Sequence, residues 1–355
     1  MNPHRPFPQI RPINFLRWLI TLSGTVLFVV VLAKTGVRQI CEDVVRQGWT
    51  LVLYIVLSGV ENGFHAASSL RCVQPQYRDR VSWWRMFLLY HLAYAINLVT
   101  PSGDVGGDVA RGIALRKYMP SAEAASAVLI NKFTFTISRM LLAAGLTGMA
   151  IGVFPFGRGQ AWAIGLASAL MTLALCAFAV VQAKGLFGVT LIKLARIAGR
   201  KRQDWVRLHV GDLDLRLREF YIENRGDVAS SVIFDLVGFG IGVLQRTLFI
   251  GLLLDLEGRS PGMLLAAGAA TWGITNLLEM LFFFMVGRIG VQEGGFKVAF
   301  ESIGLSGQKG VAMSIVERIN QFFWTALGLG VSLFLMRQPP PAEVIVREPL
   351  ERVPR

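Results

Sequence analysis

The residues of this chain that could do chemistry are charges placed inside apolar runs. Glu61, Asn62 and His65 interrupt one run, Lys132 and Arg139 a second, Asp235 and Arg246 a third, and Glu317 with Arg318 the last. Glu279, Arg288 and Glu293 gather around a glycine-rich break late in the chain. A charge at the centre of a membrane helix costs at least roughly 2.5–3.5 kcal/mol on insertion scales, so each of these needs a partner or a task. Glu61 and His65 are one helical turn apart and project from one face. One reading is purely structural: such charges pair and lock helices together. The set is large for that alone. Cations at this depth suit an anionic headgroup, and carboxylates such as Glu293 could balance them or carry a coupling proton.

Two glycine-rich breaks offer a second kind of chemistry. In Pro101-Ser-Gly-Asp-Val-Gly-Gly-Asp108 a proline and three glycines interrupt a helix. They leave backbone N–H groups free at the start of the returning half-helix, a terminus that attracts phosphate or carboxylate. An ordinary connection, with Asp104 or Asp108 capping a helix, is the alternative. The second break, Gly287-Arg-Ile-Gly-Val-Gln-Glu-Gly-Gly295, lacks the Gly-Lys-Ser/Thr of a phosphate-cradling loop and has no strand before it, as a dinucleotide fingerprint needs. No Ser/His/Asp constellation, His-Glu-x-x-His or paired carboxylate motif stands in a loop, so no catalytic residue is assigned. Cys41, Cys72 and Cys176 are scattered and odd in number, and the four histidines are dispersed. Neither a disulfide framework nor a zinc site is supported, and no metal or cofactor is expected.

The elements that must position these residues are transmembrane helices. Of 355 residues, 53% are hydrophobic and 17% charged, with a mean hydropathy of +0.51, against roughly one quarter charged in soluble domains. Apolar runs near the roughly 20 residues that span a hydrocarbon core must be helical, because unpaired backbone is too costly in lipid. The class is all-α, a polytopic helical membrane protein. The run 18–33 is long and lacks a cleavage site, so it is expected to stay as a first span, with Arg5, Arg11 and Arg17 placing the N-terminus in the cytoplasm. Further spans are expected at 49–70, 124–153, 161–183, 228–254 and 311–336. The stretch 86–99 is too short to cross comfortably and has basic flanks on both sides, Arg71 to Arg85 before it and Arg111 to Lys117 after it. A re-entrant hairpin satisfies both flanks. A second hairpin, 263–303, closes the topology from the opposite side: six spans plus two opposed hairpins, the pattern of an inverted-repeat transporter, or a variant in which both hairpins cross.

The formal charge of +13 does not point to nucleic acid, since the basic residues cluster beside apolar spans and no recognition fold appears. Between Lys184 and Arg225 lie ten Lys/Arg and five Asp/Glu with apolar residues interleaved. The stretch 184–227 therefore reads as a cytoplasmic amphipathic arm on anionic headgroups, inside one transmembrane domain, 1–337. The Pro-rich tail 338–355 is expected to be disordered and cytoplasmic.

Asn97-Leu-Val-Thr-Pro101, followed by Gly103, Gly106-Gly107-Asp108 and Arg111, is similar to the Asn-x-x-x-Pro-x-x-x-Gly-(Asp/Glu)-x-x-Arg stretch of the lysylphosphatidylglycerol synthase transmembrane-region, or flippase-like, family, which includes hopanoid-biosynthesis-associated members. Gly287-Arg288-Ile-Gly290-Val-Gln-Glu293 resembles that family's Gly-x-Gly-Val-x-Glu, and Arg318 fits its late arginine. Arg288 inside the second motif is a departure, as is Gln245 where members often carry Glu; both weaken a proton-coupling role at those positions. The resemblance implies the flippase-like part alone, since the two-domain synthase carries a soluble transferase domain and here about 18 residues follow the last span. It implies translocation of an anionic or amphiphilic lipid at a bacterial inner membrane. Arg111, Arg139, Arg288 and Arg318 would engage the headgroup, and Asp108 and Glu293 would orient them. The competing expectations are a lipid-modifying membrane enzyme, for which no donor site is found, and a scaffold that recruits lipid-biosynthetic proteins through the basic arm.

Overall fold

A computed structural model describes residues 48–99, 105–183, 215–253, 260–282 and 291–337. The expected first span, the arm up to residue 214, the tail, and Pro101, Gly103, Gly287, Arg288 and Gly290 lie outside the described residues. Every regular element among those described is a helix: α1 (Trp49–Arg71), a short α2 (Pro75–Arg78), α3 (Trp83–Val99), α4 (Gly106–Leu115), α5 (Ser121–Val153), α6 (Arg158–Ala183), α7 (215–223), α8 (Arg225–Leu253), α9 (Pro261–Leu281), α10 (Val291–Ser302) and α11 (Gly307–Arg337). Starts follow local chemistry. Pro75 and Pro261 stand in first turns, where a missing N–H costs nothing, and the Ser260 hydroxyl accepts from the Met263 N–H at 3.3 Å.

Four helices, α5, α6, α8 and α9, are long and apolar enough to cross a membrane by composition. With 23 and 31 residues, α1 and α11 also have the length, but they carry Glu61, His65, Glu317 and Arg318 in their interiors. Of these six, α1, α5, α6, α8 and α11 fall at the spans expected from 49–70, 124–153, 161–183, 228–254 and 311–336, each shifted by a few residues at its ends, whereas α9 falls in the stretch expected as the second hairpin. The fold is that of a multi-pass helical membrane protein.

The centre of the bundle is α1 packed antiparallel along α8, flanked by α3, α5, α9 and α11, with α6 outermost against α5. The outer face of α6 presents Trp162, Leu166, Leu170 and Leu173, all exposed, as a lipid-facing helix should. Arg78 of α2 pairs with Asp227 at 2.7 Å, so α8 starts where α1 ends. The first break lies in a hairpin, α3 and α4. Its tip brings Asn97 to Gly107, while Leu115 and Met119 return to the cluster of Val73, Val81 and Met86 near the end of α1. The chain enters and leaves at one end of the bundle.

A second hairpin, α9 and α10, opens at the other end. Phe296, Phe300 and Ile303 pack with Leu51, Ala267 and Ala270 beside the start of α1. The returning arms have 10 and 12 residues, about 15 and 18 Å, and neither covers the roughly 30 Å of hydrocarbon. Although the 21 residues of α9 could cross, its last turns stop against the middle of α5, where Asn276 and Glu279 meet Arg139. The last stretch of the basic arm also belongs to the bundle: Leu217 and Phe220 are buried against Cys72, Ile130 and Phe133.

Candidate functional site

The first hairpin builds its site from backbone approach. A Cβ on Gly107 would lie 2.0 Å from the Ala93 carbonyl oxygen, so only glycine lets α4 lie this close to α3. In that position the Gly107 N–H donates to Asn97 Oδ1 at 2.6 Å, satisfying one of the free donors of the half-helix start. Gly106 precedes it as the first residue of α4, and Asp108 stands in the first turn, where a negative charge suits the helix dipole.

Asp108 is a shared carboxylate. Its Oδ1 accepts from Arg111 Nη2 at 3.2 Å and its Oδ2 faces Lys132 Nζ at 3.0 Å. The two cations differ in access. Arg111 is 3% exposed, and its other amino group donates to Ser69 Oγ of α1 at 3.0 Å. The Lys132 side chain, on α5, is 36% exposed. Ser69 in turn donates to Asn131 Oδ1 at 2.8 Å, and Asn131 Nδ2 donates to Ser68 Oγ at 3.2 Å, so three helices are pinned around Arg111.

The second hairpin has its own cations. Arg139 of α5 donates from Nε to Asn276 Oδ1 at 2.7 Å and from Nη2 to Glu279 Oε2 at 2.8 Å. Arg318 of α11 donates from Nε to Glu293 Oε1 at 2.5 Å, and Gln321 donates to Gln292 at 3.3 Å beside it. A further group links α1, α8 and α11: the Tyr54 hydroxyl donates to Glu317 Oε2 at 2.5 Å, and Arg246 Nη2 stands 3.7 Å from the same oxygen.

Of the residues singled out from sequence, Asn97, Gly106, Gly107, Asp108 and Arg111 come together at one hairpin tip. Arg139 lies against α9, and Glu293 with Arg318 joins α10 to α11. Each of these three cations has a carboxylate partner. Sequence reading did not pick out Tyr54, Ser68, Ser69, Asn131 or Asn276. The signal available was spacing: Ser68 and Ser69 fall on the face already marked by Glu61 and His65. Gln245 is a buried neutral link, donating to the Tyr54 carbonyl and to Ser58 Oγ, each at 2.6 Å.

Two half-helix hairpins opening at opposite ends of a helical bundle, with ion pairs at their tips, define a membrane protein built around broken helices. A family model for the lysylphosphatidylglycerol synthase TM region matches residues 14–330, and the chain belongs to that family. No curated protein and no solved structure matches it. The family supports a lipid-related role in a membrane.

Proposed function

We propose that the chain translocates, or binds for translocation, a lipid with an anionic or amphiphilic headgroup across a bacterial inner membrane, with both termini in the cytoplasm. The observation that carries this reading is the sharing of Asp108 by Arg111 and Lys132 at the start of a half-helix. A cation left alone at this depth is expensive, so it waits on a carboxylate. An arriving phosphate offers Lys132 an equivalent partner, and the swap leaves no charge bare. Arg139 on Glu279 and Arg318 on Glu293 are further cations held on carboxylates near the other hairpin, and we assign Arg288 to the same set. Because the two hairpins open at opposite ends, a headgroup handed from one set of cations to the other changes sides while its tails stay in lipid. The basic arm 184–227 would gather anionic headgroups for the site.

The test uses full-length protein in vesicles of phosphatidylethanolamine and phosphatidylglycerol carrying a fluorescent phosphatidylglycerol, with a membrane-impermeant quencher reporting leaflet exchange. The wild type accelerates exchange. Lys132→Ala and Glu293→Ala each lower the protein-dependent rate at least tenfold without changing yield or elution from a sizing column. Wild-type rates in both variants refute the reading.

A further inference from the structure

At the heart of the bundle lies a group that the headgroup site does not use. His65 of α1 is buried, with Nδ1 2.8 Å from Asp235 Oδ1 of α8 and Nε2 3.9 Å from Glu61 Oε1 one turn back. Asp235 is 0% exposed, and its second oxygen accepts from Ser68 Oγ at 2.7 Å. The neighbouring helix is shaped for this. A Cβ on Gly238 would stand 2.9 Å from His65 Cε1, and one on Gly242 would stand 2.9 Å from Glu61 Oε1 and from the Trp272 indole nitrogen. The rings of Phe135 and Phe239 close around the imidazole at 5.0 and 4.7 Å. Among the three side chains only Glu61, 19% exposed, has an opening.

By ion pairs within 4 Å among the described residues this trio stands apart, while at longer range Glu61 acts on Arg246 and Asp235 feels Arg111. Among the described residues of the bundle interior, the five cations Arg111, Lys132, Arg139, Arg246 and Arg318 pair with four carboxylates, because Asp108 holds two of them. Glu61 and Asp235 are left with His65. These five described cations and their four carboxylates thus carry one net positive charge, Arg288 lying outside the described residues. The trio carries one net negative charge when a single proton resides on it, which balances the net charge of these described pairs. A monoanionic headgroup settling on the cations adds a negative charge to a poorly solvated space, and one further proton on the trio cancels it.

We infer that Glu61, His65 and Asp235 form a proton-binding site that takes up one proton for each monoanionic headgroup held by the cations, so that lipid movement is tied to proton movement; the inference rests on the lipid reading above. In the resting trio the single proton sits on the Glu61 carboxylate and His65 is neutral, its Nδ1–H bonded to Asp235; on headgroup binding the Glu61 proton passes to His65 Nε2 and the arriving proton replaces it on Glu61. No bond other than that to the proton is made or broken. The groups facing His65 fit this assignment. From α8 they are Asp235 and, a few turns on, Arg246. From α3 the Tyr90 ring stacks at 5.9 Å. From α5, Lys132 and Arg139 are engaged with Asp108 and Glu279. From α11, Glu317 is held by Tyr54 and Arg246. Arg111 of α4 reaches Asp235 through Ser69, Asn131 and Ser68, so occupancy of the headgroup site is felt at the trio along a hydrogen-bonded chain.

The test is a linkage measurement on purified full-length protein in neutral detergent, in weak buffer with a pH-sensitive dye. Adding phosphatidylglycerol draws about one proton per protein from solution, because binding of one ligand and uptake of the other are reciprocal. Adding phosphatidylethanolamine draws none. His65→Gln and Asp235→Asn, near-isosteric and checked for unchanged elution, each cut the uptake at least fivefold. Wild-type uptake in both variants, or none in a wild type that binds phosphatidylglycerol, overturns the proton site. Equal uptake with glycerol phosphate transfers the ligand from lipid to soluble phosphate, defeating the lipid reading while keeping the site. Infrared pH-difference spectra need no lipid: loss of a buried carboxyl or imidazole band in both variants supports the trio, and unchanged spectra overturn it. The site therefore stands or falls even if the wild type binds no phosphatidylglycerol, a result that defeats only the lipid reading.

Discussion

Replacing Gly107 by alanine should separate the arms of the first hairpin. The added Cβ would sit 2.0 Å from the Ala93 carbonyl oxygen, with Asn97 Oδ1 a further 2.7 Å neighbour. A carbon–oxygen contact relaxes at about 3.3 Å, so the helices must part by roughly 1.3 Å. The obstacle is backbone, which cannot rotate away, so the overpacking cost belongs in the upper part of the roughly 1–3 kcal/mol range. The same movement stretches the Gly107–Asn97 hydrogen bond, a loss of about 1 kcal/mol, and alanine's helix preference returns about 1 kcal/mol. The expected net loss is therefore about 2–3 kcal/mol, on the order of 5 °C or more in thermal midpoint. Gly112 is the internal control on the same half-helix: its Cβ would meet Val128 Cγ2 at an ordinary 3.8 Å. Gly112→Ala should be neutral or stabilising by up to about 1 kcal/mol. Scanning fluorimetry of both variants in detergent decides. If Gly107→Ala melts with the wild type, or both variants lose stability equally, the close approach of α3 and α4 is not what the glycine is for.

Two other perturbations probe the interior. Arg139→Ala takes a part-buried cation from Glu279 and a donor from Asn276 Oδ1 and should cost about 3 kcal/mol, whereas Arg139→Met with Glu279→Met should recover most of it; thermal midpoints of single and double variants measure the difference. In a Cys41→Ser background, a membrane-permeant maleimide should label exposed Cys176 on the lipid face of α6. It should leave Cys72 untouched until the protein is denatured, since Cys72 is 1% exposed and held between Ser231 and Thr134; gel shift of the folded protein reads both.

The spans were legible because their length and apolarity answer to one quantity, the thickness of hydrocarbon. The first hairpin was legible for a different reason: a re-entrant path satisfies the basic flanks on both sides of 86–99 better than a crossing does. Depth was harder. Nothing in the composition of Pro261–Leu281 says that it stops against the middle of α5, because that depends on where Arg139 finds Glu279, 140 positions later. The hydroxyl and amide chain of Ser69, Asn131 and Ser68 was not visible either. Such residues are inexpensive in a membrane helix, and their meaning comes from which helix faces which. Glu61 and His65 could be placed on one face from spacing alone, yet their partner Asp235 lies 170 residues from His65 and is fixed only by the antiparallel register of α1 on α8.

The division of labour between Arg111 and Lys132 follows from their surroundings. Arg111 is bound on both amino groups, to Asp108 within its own helix and to Ser69 across to α1, so releasing it would strip two helices of a contact. Removing one partner of such a buried arrangement costs about 3–5 kcal/mol, more than an exchange of partners returns. Lys132 has a half-open side chain with three rotatable donors, only one of which is needed for Asp108. In the proposed exchange it would turn toward an incoming phosphate before letting the carboxylate go, and Asp108 would keep Arg111 throughout. On the proposed reading, the cation that holds the hairpin and the cation that would trade partners are different residues on one carboxylate, so the hairpin would keep its shape while its outer contact changed.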